Sequence, residues 1–457
     1  MGYTLPDGTK LHWEIKAGRR GSSSADVWDT ATWDNASWDG GSDVDFRDIP
    51  ENVVFGFSTN SGKDKFGKRF KASSVSMRLN NATGAFTGVN GLMQSGDYLV
   101  IEQRITLPGG LPDVPIPDGF TWPDGFGNTW TNHGGKVLMD DTGVPLPTFY
   151  PMWFGRIDEG TDIVRGGTDT TRIVGYDMFS ELAAVDKAAQ PDAGAGEDVF
   201  ARVLRIGNNA STSFGGITTS PAPGEATMQA TTLARNALEE MQLSVESEGG
   251  DMWSDRIQGS QSKGAVAVRG RDWLTVDTRS TVVQWTLSNA PGAIPLVDAQ
   301  ITREQQLLVN DATFSNVNGT AQNSQDVSSI QRYGHRTFRR LDLIAENDSQ
   351  AQFLATRHVA NLRNIRPRIR QATVEVVDAK SALFGVGVEF GDLVQTTVNS
   401  VNGWAFTAEA HVIGISHIVS NKDWQVVLHL SDAFIDNIDG SFNRDMYSEA
   451  FRLGTQP

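Results

Sequence analysis

One short motif, met twice along the chain, limits the possible folds more than any single residue does. Gly96-Asp97 runs directly into Tyr98-Leu99-Val100-Ile101, and Gly391-Asp392 runs into Leu393-Val394-Gln395-Thr396. A strand-like segment precedes each: residues 73–79, with Val75, Met77 and Leu79 in phase, and residues 372–377. An apolar segment broken by a glycine follows each, Trp153-Phe154-Gly155-Arg156-Ile157 and Val412-Ile413-Gly414-Ile415-Ser416. Each series closes on a further strand-like segment and an aspartate, Asp177 in one and Asp432 in the other. Period-2 alternation marks a half-buried strand. A Gly-Asp pair marks a tight turn into a strand, and a glycine within a strand marks a bulge or bend in a curled sheet. The interval from Gly-Asp to the strand glycine is longer in the first series, but removing residues 107–148 brings the two to within a few residues. Five matches in order predict two barrel-like antiparallel units of one design, flanking a central α/β region.

Composition narrows the function classes. The 457 residues leave room for several domains of about 100–200 residues each. With no cysteine, disulfide scaffolds, thiolate-bound zinc and thiol nucleophiles are excluded. Lys+Arg number 39 against Asp+Glu 55, and the net charge of -16 opposes a grip on nucleic-acid phosphates or anionic membranes. No apolar run approaches the about 18 residues of a membrane span, and residues 1–16 lack a secretory pattern, so a soluble chain is expected.

Punctuation and periodicity divide the rest. Residues 1–52 are polar and acidic, and Trp28-Asp29, Trp33-Asp34 and Trp38-Asp39 recur every five residues. A step of five puts successive rings on different faces of a strand or helix, so residues 1–52 read as an arm whose rings enter separate pockets. A sugar-stacking platform is the competing reading. Residues 53–186 form the first unit, with an insertion at 107–148 that holds seven prolines and eight glycines. That insertion reads as a structureless projection whose Phe120, Trp122, Phe126 and Trp130 dock on a partner. Residues 187–300 form an α/β accessory domain, with a helix through Leu233, Ala237 and Met241 and strands near 252–256 and 265–269. Residues 301–369 are a connecting region with a helix at 349–365 that must stop before Pro367. The second unit occupies 370–432, and 433–457 are a C-terminal tail. The fold class is therefore mainly β with α+β accessory regions.

Motifs for chemistry are sparse. The seven histidines lie at 12, 133, 335, 358, 411, 417 and 429, without the His-Glu-x-x-His pattern. By parity His411 and His417 share a face, with His429 on a neighbouring strand, but ordinary sheet histidines are the preferred reading. Asp432, Asp436 and Asp439 before Gly440 miss the register of a calcium loop. Asp39, Asp43, Asp45 and Asp48 read as a solvated face, and the basic stretches 63–71 and 363–370 as solvated or interface faces. Gly385, Gly387 and Gly391 lack dinucleotide-binding spacing, and no Walker-type pattern occurs. No catalytic residue, cofactor or metal is expected.

In the order of these motifs the chain resembles the baseplate-hub, or minor tail, proteins of long-tailed phages, particularly siphophages of actinobacteria. The residues are the Trp28, Trp33 and Trp38 repeat, Arg69-Phe70-Lys71-Ala72, and Val75-Ser76-Met77-Arg78-Leu79-Asn80-Asn81-Ala82-Thr83-Gly84. They continue with 237–250, with Asp326-Val327-Ser328-Ser329-Ile330-Gln331-Arg332-Tyr333-Gly334-His335-Arg336, and with Gly391-Asp392, Gly414-Ile415-Ser416-His417 and Trp424. The resemblance implies two tube-type β-barrel domains and a virion protein of the tail tip. It implies a homotrimer that closes the sixfold tube around a DNA channel without binding DNA specifically. The partners it implies are the distal tail protein ring, the tape measure protein, and other minor tail or central fibre proteins. A carbohydrate-binding tail module and a cell-wall hydrolase are the alternatives. Only 25 residues follow Asp432, so a host-binding or hydrolytic module is expected on another protein.

Overall fold

A computed structural model describes residues 2–20, 44–63, 69–86, 93, 95–106, 121–123, 129–132, 138–140, 150–164, 169–186, 195–210, 214–219, 226–259, 263–303 and 305–432. Twelve long strands build its main sheet, edged by the short strands Gly2–Thr4 and Val44–Asp48. The first six are β1 Lys10–Arg20, β2 Val54–Gly62, β3 Lys71–Asn80, β4 Tyr98–Thr106, β5 Tyr150–Ile163 and β6 Thr170–Tyr176. The second six are β7 Val283–Ser288, β8 Ile294–Thr302, β9 Arg368–Glu375, β10 Leu393–Asn399, β11 Ala405–Ser420 and β12 Trp424–Asp432. The first set pairs in the order β1-β4-β5-β6-β3-β2 and the second in the order β7-β10-β11-β12-β9-β8. Each strand of one set thus has its counterpart six strands later.

Register makes the correspondence exact at the level of residues. Gly96 (φ 90°) and Gly391 (φ 84°) both adopt the left-handed conformation that glycine tolerates. Gly96 N donates to Ile157 O at 2.7 Å while Ile157 N donates to Asp97 O at 2.8 Å. Gly391 N donates to Val412 O at 2.8 Å while Val412 N donates to Asp392 O at 3.0 Å. Directly after these residues both strands bulge, at Asp158 in β5 and at Ile413 in β11. A second pair of bulges also coincides, at Phe55 in β2 and at Val297 in β8. The strand glycines do not correspond. Gly155 precedes Ile157 in its ladder, whereas Gly414 follows Val412, so their likeness in the sequence is accidental.

The second set closes into a six-stranded barrel through the parallel contact of β7 with β8, Leu287↔Ile294 and Ser288↔Pro295. The first set, expected as another barrel, is an open array among the described residues. Its β1 runs antiparallel to β4, whereas β7 runs parallel to β10. The free edge of β2 pairs with β11 of the barrel. The barrel is also not confined to 370–432, because β7, β8 and the start of β9 come from earlier in the chain. The connecting region expected at 301–369 carries, besides its expected helix (Asp348–Leu362), a three-stranded sheet, and has its own core of Ala312, Leu343, Ala351 and Ala355.

Two other expectations change. The segment 1–52 is not arm throughout: β1 buries Leu11, Trp13, Ile15 and Ala17 on one face, under a polar composition supplied by the other face. The insertion 107–148 is not structureless, since Thr121–Pro123, Thr129–Asn132 and Leu138–Asp140 form a small antiparallel sheet. Between the two strand sets lies a mixed sheet of Phe214–Thr219, Lys263–Arg269 and Asp251–Gly259, covered by the helices Val199–Ala210 and Ala237–Glu248. Asn236 caps the second of these, accepting from Glu239 N, and Gly249 at φ 85° ends it.

Glycine at position 62 sets how closely β2 can meet β11. It sits at φ 103°, and a methyl group there would lie 2.5 Å from Ile413 O and 2.6 Å from Gly414 Cα. Gly62→Ala should therefore cost more than about 1 kcal/mol of stability in chemical denaturation, whereas Gly160→Ala, which meets only Ile173 Cδ1 at 3.4 Å, should change it little.

Candidate assembly interface

The junction of the two strand sets is a continuous antiparallel ladder. Seven residue pairs form it, from Gly62↔Gly414 to Gly56↔Ser420. Lys63 N extends the ladder by donating to the carbonyl of the bulged Ile413 at 2.9 Å. The Lys63 side chain is 5% exposed, and its Nζ lies 2.6 Å from Asp251 Oδ1 and 4.7 Å from the Phe70 ring centroid. The basic stretch at 63–71, expected as a solvated or interface face, thus begins with a buried, paired charge that ties the junction to the central sheet. Beneath the ladder Trp13 of β1 meets Phe57 of β2 at 5.1 Å and Trp424 of β12 at 4.9 Å, both edge to face. One apolar core, in which Trp13 and Trp424 are almost wholly buried, runs through both strand sets.

A charge cluster locks the second Gly-Asp start. Arg279 grips Asp392 with two bonds, Nε to Oδ1 at 2.6 Å and Nη2 to Oδ2 at 2.8 Å. Trp285 Nε1 and Glu389 N also donate to Asp392 Oδ2, at 3.1 and 3.0 Å. Asp392 is fully buried. Burial pushes its carboxyl above the ordinary range, and the Arg279 guanidinium opposes that rise. Arg279 lies far from Asp392 in sequence and no local pattern marks the pair. In the first set, Asp177 in its turn caps the helix Met178–Ala183, accepts Ser73 N at 2.7 Å, and is pushed up to about 6 by burial.

The shared face inferred by parity for His411 and His417 fails for a geometric reason. The bulge at Ile413 inserts a residue between His411 and His417 and reverses the parity that would place them on one face. His411 Nε2 lies 2.9 Å from Ser280 O, whereas His417 Nδ1 accepts from Trp424 Nε1 at 3.3 Å within the core. Among the described residues no group of three His, Asp or Glu is placed to hold a metal ion.

Of the aromatic residues picked out in the sequence, Trp28, Trp33, Trp38, Phe120 and Phe126 lie outside the described residues. Trp122 and Trp130 are register partners in the small sheet of the 107–148 insertion. The Asp436–Gly440 segment also lies outside the described residues, and Gly385 and Gly387 belong to the helix Ala379–Gly387. No helix among the described residues is long and apolar enough to cross a membrane.

A cleft of about 180 Å³ separates the helix Ala237–Glu248 from the unit built by the helix Asp348–Leu362 and its three-stranded sheet, with Glu246, Arg340, Phe338 and His358 on its wall. Glu246 accepts from Arg69 at 2.7 and 2.8 Å and from Arg340 at 2.6 Å. Burial opposes its ionisation, yet the two guanidinium groups hold its carboxyl below the ordinary range. These bonds make the cleft a seam between packed units. His358 packs against Phe338 at 4.3 Å, and burial lowers its pKa to about 4. The unfolded chain, with an imidazole near 6.5, binds the proton first as pH falls, so His358 withdraws stability between about pH 6.5 and pH 4. At pH 5 that loss is about 2 kcal/mol. In His358→Phe the stability difference between pH 7 and pH 5 should shrink by about that amount in denaturant titrations; an unchanged difference would refute the assignment.

No family model and no curated protein matches the chain. Solved structures do. A tail protein from Neisseria meningitidis MC58 superposes with a TM-score of 0.54 at 14% identity, covering 92% of this chain and 97% of that one. The 43 kDa tail protein of prophage MuSo2 from Shewanella oneidensis superposes with a TM-score of 0.53 at 10% identity, covering 93% and 98%. The fold described above is therefore shared, along nearly the whole chain, with these two tail proteins.

Proposed function

We propose that this chain is the structural hub of a phage tail tip, in which three copies form a closed ring and the two strand sets of each alternate around a channel. The observation that carries the reading is the residue-level match of the two sets, with the same strand order and the same two bulges. Two like units per chain and three chains give six like positions, which fits a sixfold tube above and a threefold fibre below. In this reading the open first set acts as a second tube-type unit that the ring completes. The fold shared with the Neisseria and Shewanella tail proteins supports a place in the virion. The narrower siphophage assignment rests on the sequence motifs. The net charge of -16 suits a channel that passes DNA without gripping phosphate. The distal tail protein ring, the tape measure protein and other minor tail or central fibre proteins are its partners. Its role is structural and not catalytic.

Native mass measurement of the purified chain and quantitation of its copies per virion test the proposal. Three copies are expected; six or twelve copies would refute it.

The 107–148 insertion, with Trp122 opposite Trp130, is the surface that docks on a neighbouring tail protein. Its deletion should leave a folded chain that no longer enters tails. Normal tails that fail to adsorb to the host would instead favour the sugar-binding reading.

A further inference from the structure

The matched registers expose an imbalance between the two strand sets. Within the chain, β2 covers the outer half of β11, and the covered residues Ile415, His417 and Val419 are 5%, 3% and 3% exposed. Counting from the coincident bulges, the counterpart of that outer half is residues 159–164 at the end of β5. There β6 occupies one edge, and no strand among the described residues pairs with the other. Residues 158–162 are all exposed, and Val164, the counterpart of Val419, is 77% exposed. The counterpart of β2 is β8. It pairs with β9 on one edge, but on the other β7 covers only Ile294 and Pro295. Beyond them the edge is free of any strand among the described residues, and Val297 is 59% exposed. The molecule therefore holds both halves of its own internal junction a second time, unjoined. Unpaired edges of this kind are templates for pairing with another chain.

We infer that residues 299–302 of one copy pair antiparallel with residues 161–164 of the next, repeating between chains the ladder that joins β2 to β11 within one. Transferring the register Phe57↔Val419 and Ser58↔Ile418 sets Ala299 opposite Val164 and Gln300 opposite Ile163. The occupant is a second copy because the same two elements already fit each other in the internal junction, with the same strand sense and the same bulge beside each. The contact is heterologous, so it propagates until it closes, and alternation of the two sets along the ring follows directly. This deepens the proposed trimer and rests on it.

The chain has no cysteine, which makes a covalent test clean. Directly opposed residues in an antiparallel pair lie within disulfide range. The double variant Gln300→Cys/Ile163→Cys, oxidised at the concentration used for native mass measurement, should run as a covalent trimer, while each single variant stays a monomer under denaturing conditions. Val164→Lys, at an exposed site, should leave the thermal transition in place and abolish the trimer. A double variant with no link between copies overturns the pairing. If native mass still shows a trimer, the ring stands and only this interface falls; a monomer refutes both. Slow hydrogen exchange at 159–164 without a link between copies would show that another segment or protein covers the edge, and also overturns it. A trimer that persists in Val164→Lys does the same.

Discussion

The ladder between β2 and the outer half of β11 decides the form of the molecule, because it commits a strand edge that would otherwise close the first set upon itself. The barrel closes where β7 touches β8, through two residue pairs. The equivalent edge of β2 instead carries seven pairs to the other set. The approach is close enough that Gly62 and Gly414 leave no space for a side chain between the backbones. Below it, Trp13 and Trp424 meet edge to face at the centre of a core common to both sets. Removing a buried aromatic of this kind costs about 3–5 kcal/mol, whereas an exposed ion pair contributes about 0–1. The union of the two units is thus an apolar and backbone construction. The Lys63–Asp251 pair, with Lys63 buried, ties that union to the central sheet.

Two repeated units in one chain usually invite the expectation of two repeated structures. Here order and register are repeated while closure is not, and the difference lies in the first strand of each set. β1 and β7 occupy the same place in the pairing order but run in opposite senses. β7 is carried in by the short helices Trp273–Val276 and Thr278–Thr281, and Arg279 in the second of them clasps the buried Asp392 at the start of β10. That clasp holds β7 beside β10 and so assists the closure of the barrel. Arg279 stands outside the recurring elements of the duplication, which are β2 to β6 and β8 to β12. The two units are alike in the five strands they share, and each has solved the sixth position separately.

Much of the second half was legible from residue order. Trp424, Val426 and Leu428 alternate, and β12 buries that face completely. Leu393 and Val394 start a strand where Gly391-Asp392 said one should start, with the glycine in the left-handed region that the turn requires. The helix Asp348–Leu362 ends before Pro367, as steric exclusion at a proline demands. Other elements were hidden for identifiable reasons. β1 alternates between buried apolar residues and the half-buried polar residues His12, Glu14 and Lys16 within a polar, acidic segment, so mean composition concealed it. The helix Ala379–Gly387 contains two glycines, and what holds it is a capping box between Asp378 and Ser381 together with Gly385 packed against the Trp424 ring. Bulges misled twice, once by pairing Gly155 with Gly414 and once by placing His411 and His417 on one face.

What the sequence by itself determined is local: which residues alternate, where a glycine permits a left-handed turn, where a proline stops a helix, and that the series occurs twice. These follow from backbone sterics and from the separation of apolar and polar side chains over a few residues. What only the tertiary structure decided is which edge pairs with which. A strand offers hydrogen-bonding groups on both edges whatever its side chains, so no local pattern distinguishes β2 closing on β1 from β2 crossing to β11. That choice was made by close backbone approach at Gly62 and Gly414, by the direction in which β1 enters, and by a core that both sets fill together.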